Sequence, residues 1–434
     1  MKRFALVVAL LLLAQSAAAQ ILPDAEIRKI LADRVDTQKK AVGIVVGVIE
    51  PSVRRVVAYG ALDANDKRPL NGDTLFEIGS ATKVFTSLLL ADMVQRGEVA
   101  LSDPIAKFLP SDVKVPKRGE KQITLLDLAT HTSGLPRLPS NLNPKDPANP
   151  YADYTVAQMY EFLRSYELKR DIGETYEYSN FGAGLLGHVL ALRAKSDYET
   201  LVRTRITAPL AMKSTAIKLT NAMKSRLAVG HNEELKSVPN WDLPTLAGAG
   251  ALRSTANDLL TFLAANLGVT KSPLGVAMKS MLATRRPTGA PNLEIALGWH
   301  ITTANDRQIV WHNGGTYGYR SYIGFDPKNR TGVVVLANTF TNAGIDDIGQ
   351  HLLNSAAPLL AAAKERKAIE LDGKVLEGLV GRYALSPDFA ITVTRDGSHL
   401  FIQATGQAKF EAYPENATKF FLKVVDAQIT FDVD

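Results

Sequence analysis

No cysteine occurs in the 434 residues, so the chain can hold neither a disulfide nor a lipoprotein anchor and must rely on its core for stability. Long apolar runs are also missing. The stretch from residue 4 to 14 follows Lys2 and Arg3 and precedes Ala17-Ala18-Ala19, which is the pattern of a secretory leader and too short for a membrane span. Residues 1–19 are therefore expected to be a signal peptide, with the remainder secreted into the periplasm and no membrane span. Charge of one sign is scarce. Basic residues exceed acidic ones by 6, and by 4 without Lys2 and Arg3, an excess too small and too dispersed to mark a nucleic-acid partner. No serine has glycine two positions before it, which excludes the Gly-x-Ser-x-Gly elbow. There is no His-Glu-x-x-His, and the seven histidines are scattered, so neither a metal nor a cofactor is expected.

What is present is Ser80-Ala81-Thr82-Lys83, which opens an apolar run ending near Gly97. A serine hydroxyl is a weak nucleophile at neutral pH; acyl transfer needs a group to take its proton and donors to hold the oxyanion. Residues three apart share a helical face, so the Lys83 amine is expected beside the Ser80 hydroxyl. Desolvation and nearby cations would lower the lysine towards the range of a working base. Taken alone, the pattern also fits a capping serine with a surface lysine one turn on. Ser111 to Lys114 repeats the spacing, but Pro110 and Pro116 flank it and it reads as a loop.

Two further stretches bear on the same chemistry. Tyr178-Ser179-Asn180 contains the one Tyr-x-Asn among thirteen tyrosines. Its phenol could relay a proton if cations depress its pKa, or it could be a buried, hydrogen-bonded tyrosine. Residues 308–315, ending His312-Asn313-Gly314-Gly315, read as a strand closing on a glycine pair, where backbone can approach a ligand or simply turn. Gly182, Gly184 and Gly187 satisfy a dinucleotide-binding spacing, but no strand precedes them, so they read as close helix packing.

Phe76-Glu77-Ile78-Gly79-Ser80-Ala81-Thr82-Lys83, Thr130-His131-Thr132-Ser133-Gly134-Leu135-Pro136, Tyr178-Ser179-Asn180 and Gly250-Ala251-Leu252-Arg253-Ser254-Thr255 together resemble the class C β-lactamase and serine penicillin-binding protein family. That family also includes D-alanyl-D-alanine carboxypeptidases, D-aminopeptidases and family VIII carboxylesterases. The resemblance implies that Ser80 is the nucleophile and that Lys83 and Tyr178 share the base role. It implies that Asn180 orients Lys83 and the substrate's side-chain amide, and that the amides of Ser80 and Gly315 form the oxyanion hole. His312-Asn313-Gly314 stands where the class C enzymes carry Lys-Thr-Gly, which weakens the expectation of carboxylate recognition because a histidine's charge depends on its surroundings. The implied function is β-lactam ring hydrolysis through an acyl-enzyme. Ester or D-alanyl peptide cleavage, or a non-catalytic β-lactam-binding sensor, are the alternatives. The expected partner is a small-molecule substrate; oligomeric state is not legible in these motifs.

Apolar strands lie near both ends of a segment whose middle is mostly helical, which implies an α+β fold: one antiparallel sheet flanked by helices, with an inserted helical subdomain. The expected organisation is a leader (1–19), a β-lactamase/transpeptidase-like hydrolase domain (20–365) and a small β-rich, lipocalin-like C-terminal module (370–434). Residues 358–368, alanine-rich and charged, suit a closing helix and linker. Residues 137–155, with four prolines and three asparagines, and the Asn240-Trp241-Asp242-Leu243-Pro244 stretch are expected to be loops shaping the pocket. Trp241 reads slightly more as core cover than as substrate wall.

Overall fold

The computed structural model describes residues 21–63, 65–304, 307–361, 368–386, 389–405, 409–422 and 428–432. The expected signal peptide lies outside these residues. The chain divides into two compact units, Met1–Leu360 and Ala361–Asp434.

The first unit is built on a nine-stranded antiparallel sheet. Its N-terminal strands are β1 (Gly43–Glu50), β2 (Val53–Asp63) and β3 (Asp66–Pro69); the others are β4 (Arg286–Pro287), β5 (Leu293–Ile295), β6 (His300–Ala304), β7 (Arg307–Gly315), β8 (Arg320–Asp326) and β9 (Thr331–Ala337). They lie in the order β4-β5-β6-β7-β8-β9-β1-β2-β3, so β1 pairs with β9 across almost the whole chain, with Val46 opposite Val335. This is the expected sheet with an insertion between β3 and β4.

Why β1 is apolar along its length follows from its two faces. Successive side chains of a strand point to opposite sides. Ile44, Val46 and Val48 pack with Ile27 and Leu31 of α1 (Asp24–Ala32) and with Ile348 and Leu352, while Val45 and Ile49 belong to the larger core on the other side. That larger core takes in α2 (Thr82–Gln95), α3 (Asn180–Ala194) and α4 (Ala256–Asn266); α5 (Asp346–Leu353) carries Ile348 and Leu352 on the first side. A strand covered on both faces cannot alternate apolar with polar. Helix α2 is buried from Thr82 to Met93 and ends before Gly97, which takes φ +69°.

Two of the three glycines of α3, Gly184 and Gly187, serve close packing, as read from the sequence. A Cβ at Gly187 would lie 2.9 Å from Gly248 Cα, and one at Gly184 would meet Leu246 at 2.6 Å. Helix α3 therefore sits directly against the short helical turn Ala247–Gly250. The second Ser-x-x-Lys, at Ser111, lies in an exposed turn between the 3-10 turn Ile105–Lys107 and the strand Lys117–Arg118.

In the second unit a short helix, Gly373–Gly378, precedes six strands: β10 (Gly381–Ser386), β11 (Phe389–Asp396), β12 (His399–Ala404), β13 (Lys409–Pro414), β14 (Lys419–Leu422) and β15 (Gln428–Thr430). They form one antiparallel meander in chain order, closed over Leu376, Val393, Leu400, Ile402 and Phe420. Residues 358–361 are not helical, against the expectation of a closing helix there; residues 362–367 lie outside the described set. No helix among the described residues is long and apolar enough to cross a membrane.

Candidate active site

Ser80 sits in a 3-10 turn, Gly79–Ala81, that runs into α2. The turn sends the Ser80 hydroxyl towards Lys83 one turn later, and Nζ lies 2.9 Å from Oγ. Lys83 is 2% exposed, and burial, with Arg137 as the second cause, holds its pKa well below the ordinary lysine value. Two acceptors surround its nitrogen, Asn180 Oδ1 at 2.9 Å and the Ala249 carbonyl at 2.7 Å. A neutral amine has two N–H groups and one lone pair. With these acceptors on two sides, the third side of the nitrogen faces the Ser80 hydroxyl; in the neutral amine that position is the lone pair, where a base would take the hydroxyl proton.

The second wall is the chain entering α3. Ser179 caps this helix by accepting the Gly182 amide at 2.8 Å, and donates its own hydroxyl to the Pro136 carbonyl at 2.6 Å. The Ser179 amide donates to His131 Nδ1 at 3.1 Å, and the Arg137 carbonyl accepts the Asn180 amide at 3.0 Å. The stretch from 131 to 137 thus clamps Tyr178 and Asn180 in place. Tyr178 is buried and hydrogen-bonds Ser80, and Lys83 Nζ stands 4.8 Å from its ring centre. The condition set for this phenol, that cations depress its pKa, is not met. Burial outweighs the Ser80 hydrogen bond and Arg137 and pushes the pKa up, so the phenol stays protonated.

The third wall is β7. Strand β6 stops with His300 opposite Trp311, so residues 312–315 have no neighbour on that side, while β8 pairs them on the other. Thr316 N donates to Tyr319 O at 3.1 Å. Antiparallel alternation then makes Gly314 and Ser321 a bonded pair and turns the Gly315 N–H away from β8. It points towards the Ser80 turn: a Cβ on Gly79, which has φ +48°, would come 2.7 Å from Gly315 N, and one on Gly314 would strike Ile78 O. Ser321 Oγ holds the same carbonyl at 2.8 Å. Two backbone amides, of Ser80 and Gly315, are thereby brought to one edge.

A cavity of about 600 Å³ opens over this edge, lined by Ser80, Tyr178, Asn180, Asn313, Gly314 and Gly315 among others. Of the residues singled out in the sequence, two are absent from its wall: Lys83, buried one turn after Ser80, and His312. His312 is 1% exposed, lies behind Tyr178 at 6.3 Å between ring centres and 5.2 Å from His300, and keeps its Nδ1 proton on the Asn313 carbonyl at 2.5 Å. Burial first, then His300 and Lys83, depresses its pKa far below the usual value, so it is neutral. Asn313 reaches the cavity, but its side-chain amide is spent on Asp346 Oδ2 at 2.6 Å. Both expected loops do line the cavity, through Arg137, Leu138 and Tyr151 from one and Trp241 and Leu243 from the other. Trp241 is half-buried against Tyr151, 5.2 Å between ring centres, so it is core cover and cavity wall together. Buried Glu77 fixes its loop, accepting Asn240 Nδ2 at 2.9 Å, Trp241 N at 3.1 Å and Arg253 Nη2 at 3.0 Å.

A family model described as Beta-lactamase matches residues 24–357. The chain belongs to the β-lactamase family. Membership makes it a serine hydrolase by class. A second model, a domain of unknown function (DUF3471), matches residues 365–434. Among relatives of this β-lactamase family member, Protein flp of Staphylococcus aureus is 31% identical over 64% of this chain, and the match spans 56% of flp, little more than half its length. The Beta-lactamase of Escherichia coli is 29% identical, covering 73% of this chain and 90% of that protein. A class C β-lactamase structure from Rhodobacter sphaeroides superposes with a TM-score of 0.64 at 27% identity, over 76% of this chain and 97% of that one.

Sequence reading missed four contributors: His131, Arg137, Tyr151 and the Ala249 carbonyl. His131 stood inside a quoted motif without a role. Tyr151, which shares a side-chain hydrogen bond with Asn180, carried no local signal, because a tyrosine in a proline-rich loop resembles any other loop tyrosine.

Proposed function

We propose that the protein hydrolyses acyl compounds through a covalent acyl-enzyme on Ser80, with the β-lactam ring as its first substrate class. The observation that carries this reading is the placement of Lys83: a buried amine 2.9 Å from Ser80 Oγ, with Asn180 Oδ1 and the Ala249 carbonyl on its other sides. Lys83 takes the hydroxyl proton as Oγ bonds to the carbonyl carbon, and the carbonyl oxygen takes up the negative charge between the amides of Ser80 and Gly315. Each such donor is worth about 3 kcal/mol in the transition state. Collapse of this intermediate breaks the C–N bond, and the proton held by Lys83 returns to the leaving nitrogen by way of the Tyr178 phenol. Water then attacks the ester carbonyl, giving its proton to Lys83, and Ser80 leaves with that proton restored.

Carboxylic-ester hydrolysis is the second reading, and the burial of His312 favours it. Where a charged lysine would meet a β-lactam carboxylate, this chain has a neutral ring behind Tyr178. D-alanyl peptide cleavage shares that dependence on a carboxylate. Export to the periplasm belongs to the same proposal and rests on the leader-like residues 1–19 alone; the mass of the mature N-terminus checks it.

Steady-state kinetics on nitrocefin, a short p-nitrophenyl ester and a D-alanyl-D-alanine peptide separate the readings. Ser80→Ala is expected to abolish every activity the parent shows. Any activity that survives places that chemistry elsewhere. Stoichiometric acylation by a β-lactam without turnover would instead identify a sensor.

A further inference from the structure

The cavity over Ser80 contains two guanidinium groups, of Arg137 and Arg320. Arg320 is neutralised by Asp346: its Nε donates to Oδ1 at 2.8 Å, and its Nη2 bonds Oδ2, the oxygen that also takes the Asn313 amide. Arg137 differs. Among the described residues no carboxylate pairs with it, and its guanidinium carbon stands 5.2 Å from the centre of the Tyr178 ring. Its side chain is exposed, whereas its backbone is anchored: the carbonyl accepts the amides of Asn180 at 3.0 Å and Phe181 at 3.2 Å. The head group is therefore presented to the cavity from a fixed base, without a counter-charge.

A planar guanidinium free of a protein carboxylate matches a ligand carboxylate in two parallel hydrogen bonds. His312 cannot play that part, being buried and neutral, and Arg320 already has its anion. We propose that Arg137 recognises a carboxylate on the acyl part of the substrate and so sets the enzyme's preference for anionic acyl groups. The proposal rests on the acyl-enzyme reading above. The acyl side follows from position: Arg137 holds the amide of Asn180, the residue given to the acyl side-chain amide, and Leu138 and Tyr151 of the same loop line the same cavity.

Three chromogenic esters test this on the full chain: p-nitrophenyl pentanoate, its anionic analogue mono-p-nitrophenyl glutarate, and 3-carboxy-4-nitrophenyl pentanoate, which carries the carboxylate on the leaving group. The parent is expected to prefer the glutarate ester over the pentanoate ester by about tenfold in kcat/KM, mainly through KM, as fits one charge-assisted contact. Arg137→Gln is expected to remove that preference and Arg137→Lys to restore part of it, with the ratio for the leaving-group carboxylate unchanged in both. Equal glutarate-to-pentanoate ratios in the parent and Arg137→Gln overturn the proposal. So does an Arg137→Gln effect confined to the leaving-group carboxylate. A binding measurement independent of turnover uses glutarate itself on the Ser80→Ala protein: it should raise Tm there and not in the Ser80→Ala, Arg137→Gln double variant, and equal shifts overturn the proposal. Activity that survives Ser80→Ala would instead overturn the acyl-enzyme reading, so the two failures are distinct.

Discussion

At the scale of single residues, protonation state is what the site controls. Lys83 is withdrawn from water with the Arg137 charge nearby, and both effects favour the free amine. A free amine that must be present for attack gives kcat/KM an acid limb at the lysine's pKa. Removing the positive charge of Arg137 makes the Lys83 ammonium easier to form, so its pKa rises. In Arg137→Gln the acid limb is therefore expected to move to higher pH on a neutral ester, as read from pH profiles of kcat/KM. A limb that stays in place or moves to lower pH would show that Arg137 does not act on Lys83. Tyr178 contributes no limb near neutrality, because burial raises its pKa and keeps the phenol protonated.

At the scale of elements, close approach of backbones decides which substitutions are tolerated. Helix α3 holds Asn180 at its first turn and lies against the turn Ala247–Gly250, whose Ala249 carbonyl takes a hydrogen from Lys83. Gly187→Ala gains about 1 kcal/mol of helix propensity. It also sets a Cβ 2.9 Å from Gly248 Cα and 3.1 Å from Tyr198 Cε2. Backbone cannot step aside as a side-chain tip can, and overpacking costs about 1–3 kcal/mol. The expected net result is a lower Tm in thermal unfolding, together with slower acylation as the Ala249 carbonyl moves. An unchanged or higher Tm would mean that the two segments separate without cost.

At the scale of the whole molecule, three buried histidines couple stability to acid. His131, His300 and His312 lie close together behind Tyr178, and burial is the leading cause that lowers each pKa, for His300 to about 4. Besides one another, Arg137 and, in its protonated form, Lys83 are the charges that bear on them, and both act in the same direction. Each ring takes its proton more readily in the unfolded chain, near pH 6.5, than in the folded one. Their contribution is therefore complete above about pH 6.5 and falls as pH drops towards the folded values, by about 1.4 kcal/mol per pH unit for each ring. His312→Gln is expected to flatten the fall of Tm between pH 6 and 4.5. A parallel curve would mean that His312 is already charged in the folded protein.

Much of the catalytic arrangement was legible because it depends on local spacing. Ser80 and Lys83 share a helical face by geometry, and Gly182, Gly184 and Gly187 announce a bare helix surface. The sheet was legible for the same reason, since β1 and β9 are apolar along their whole length. His312 was not. Its place at the end of a strand suggested the cavity wall, but which side of β7 faces the cavity depends on where β6 stops, a property of pairing between distant segments. The two loops were legible as pocket walls from their composition, but the placing of Trp241 and Tyr151 within them was not, because the course of each loop is set by distant partners, Glu77 for one and Asn180 for the other.

The amino-acid order by itself therefore determined which groups could react, because nucleophile and base lie within one helical turn and local geometry brings them together. Tertiary structure alone decided their charge states and the solvent exposure of each cation. A pKa follows from desolvation and neighbouring charge, and in this chain both are supplied by segments far apart in sequence.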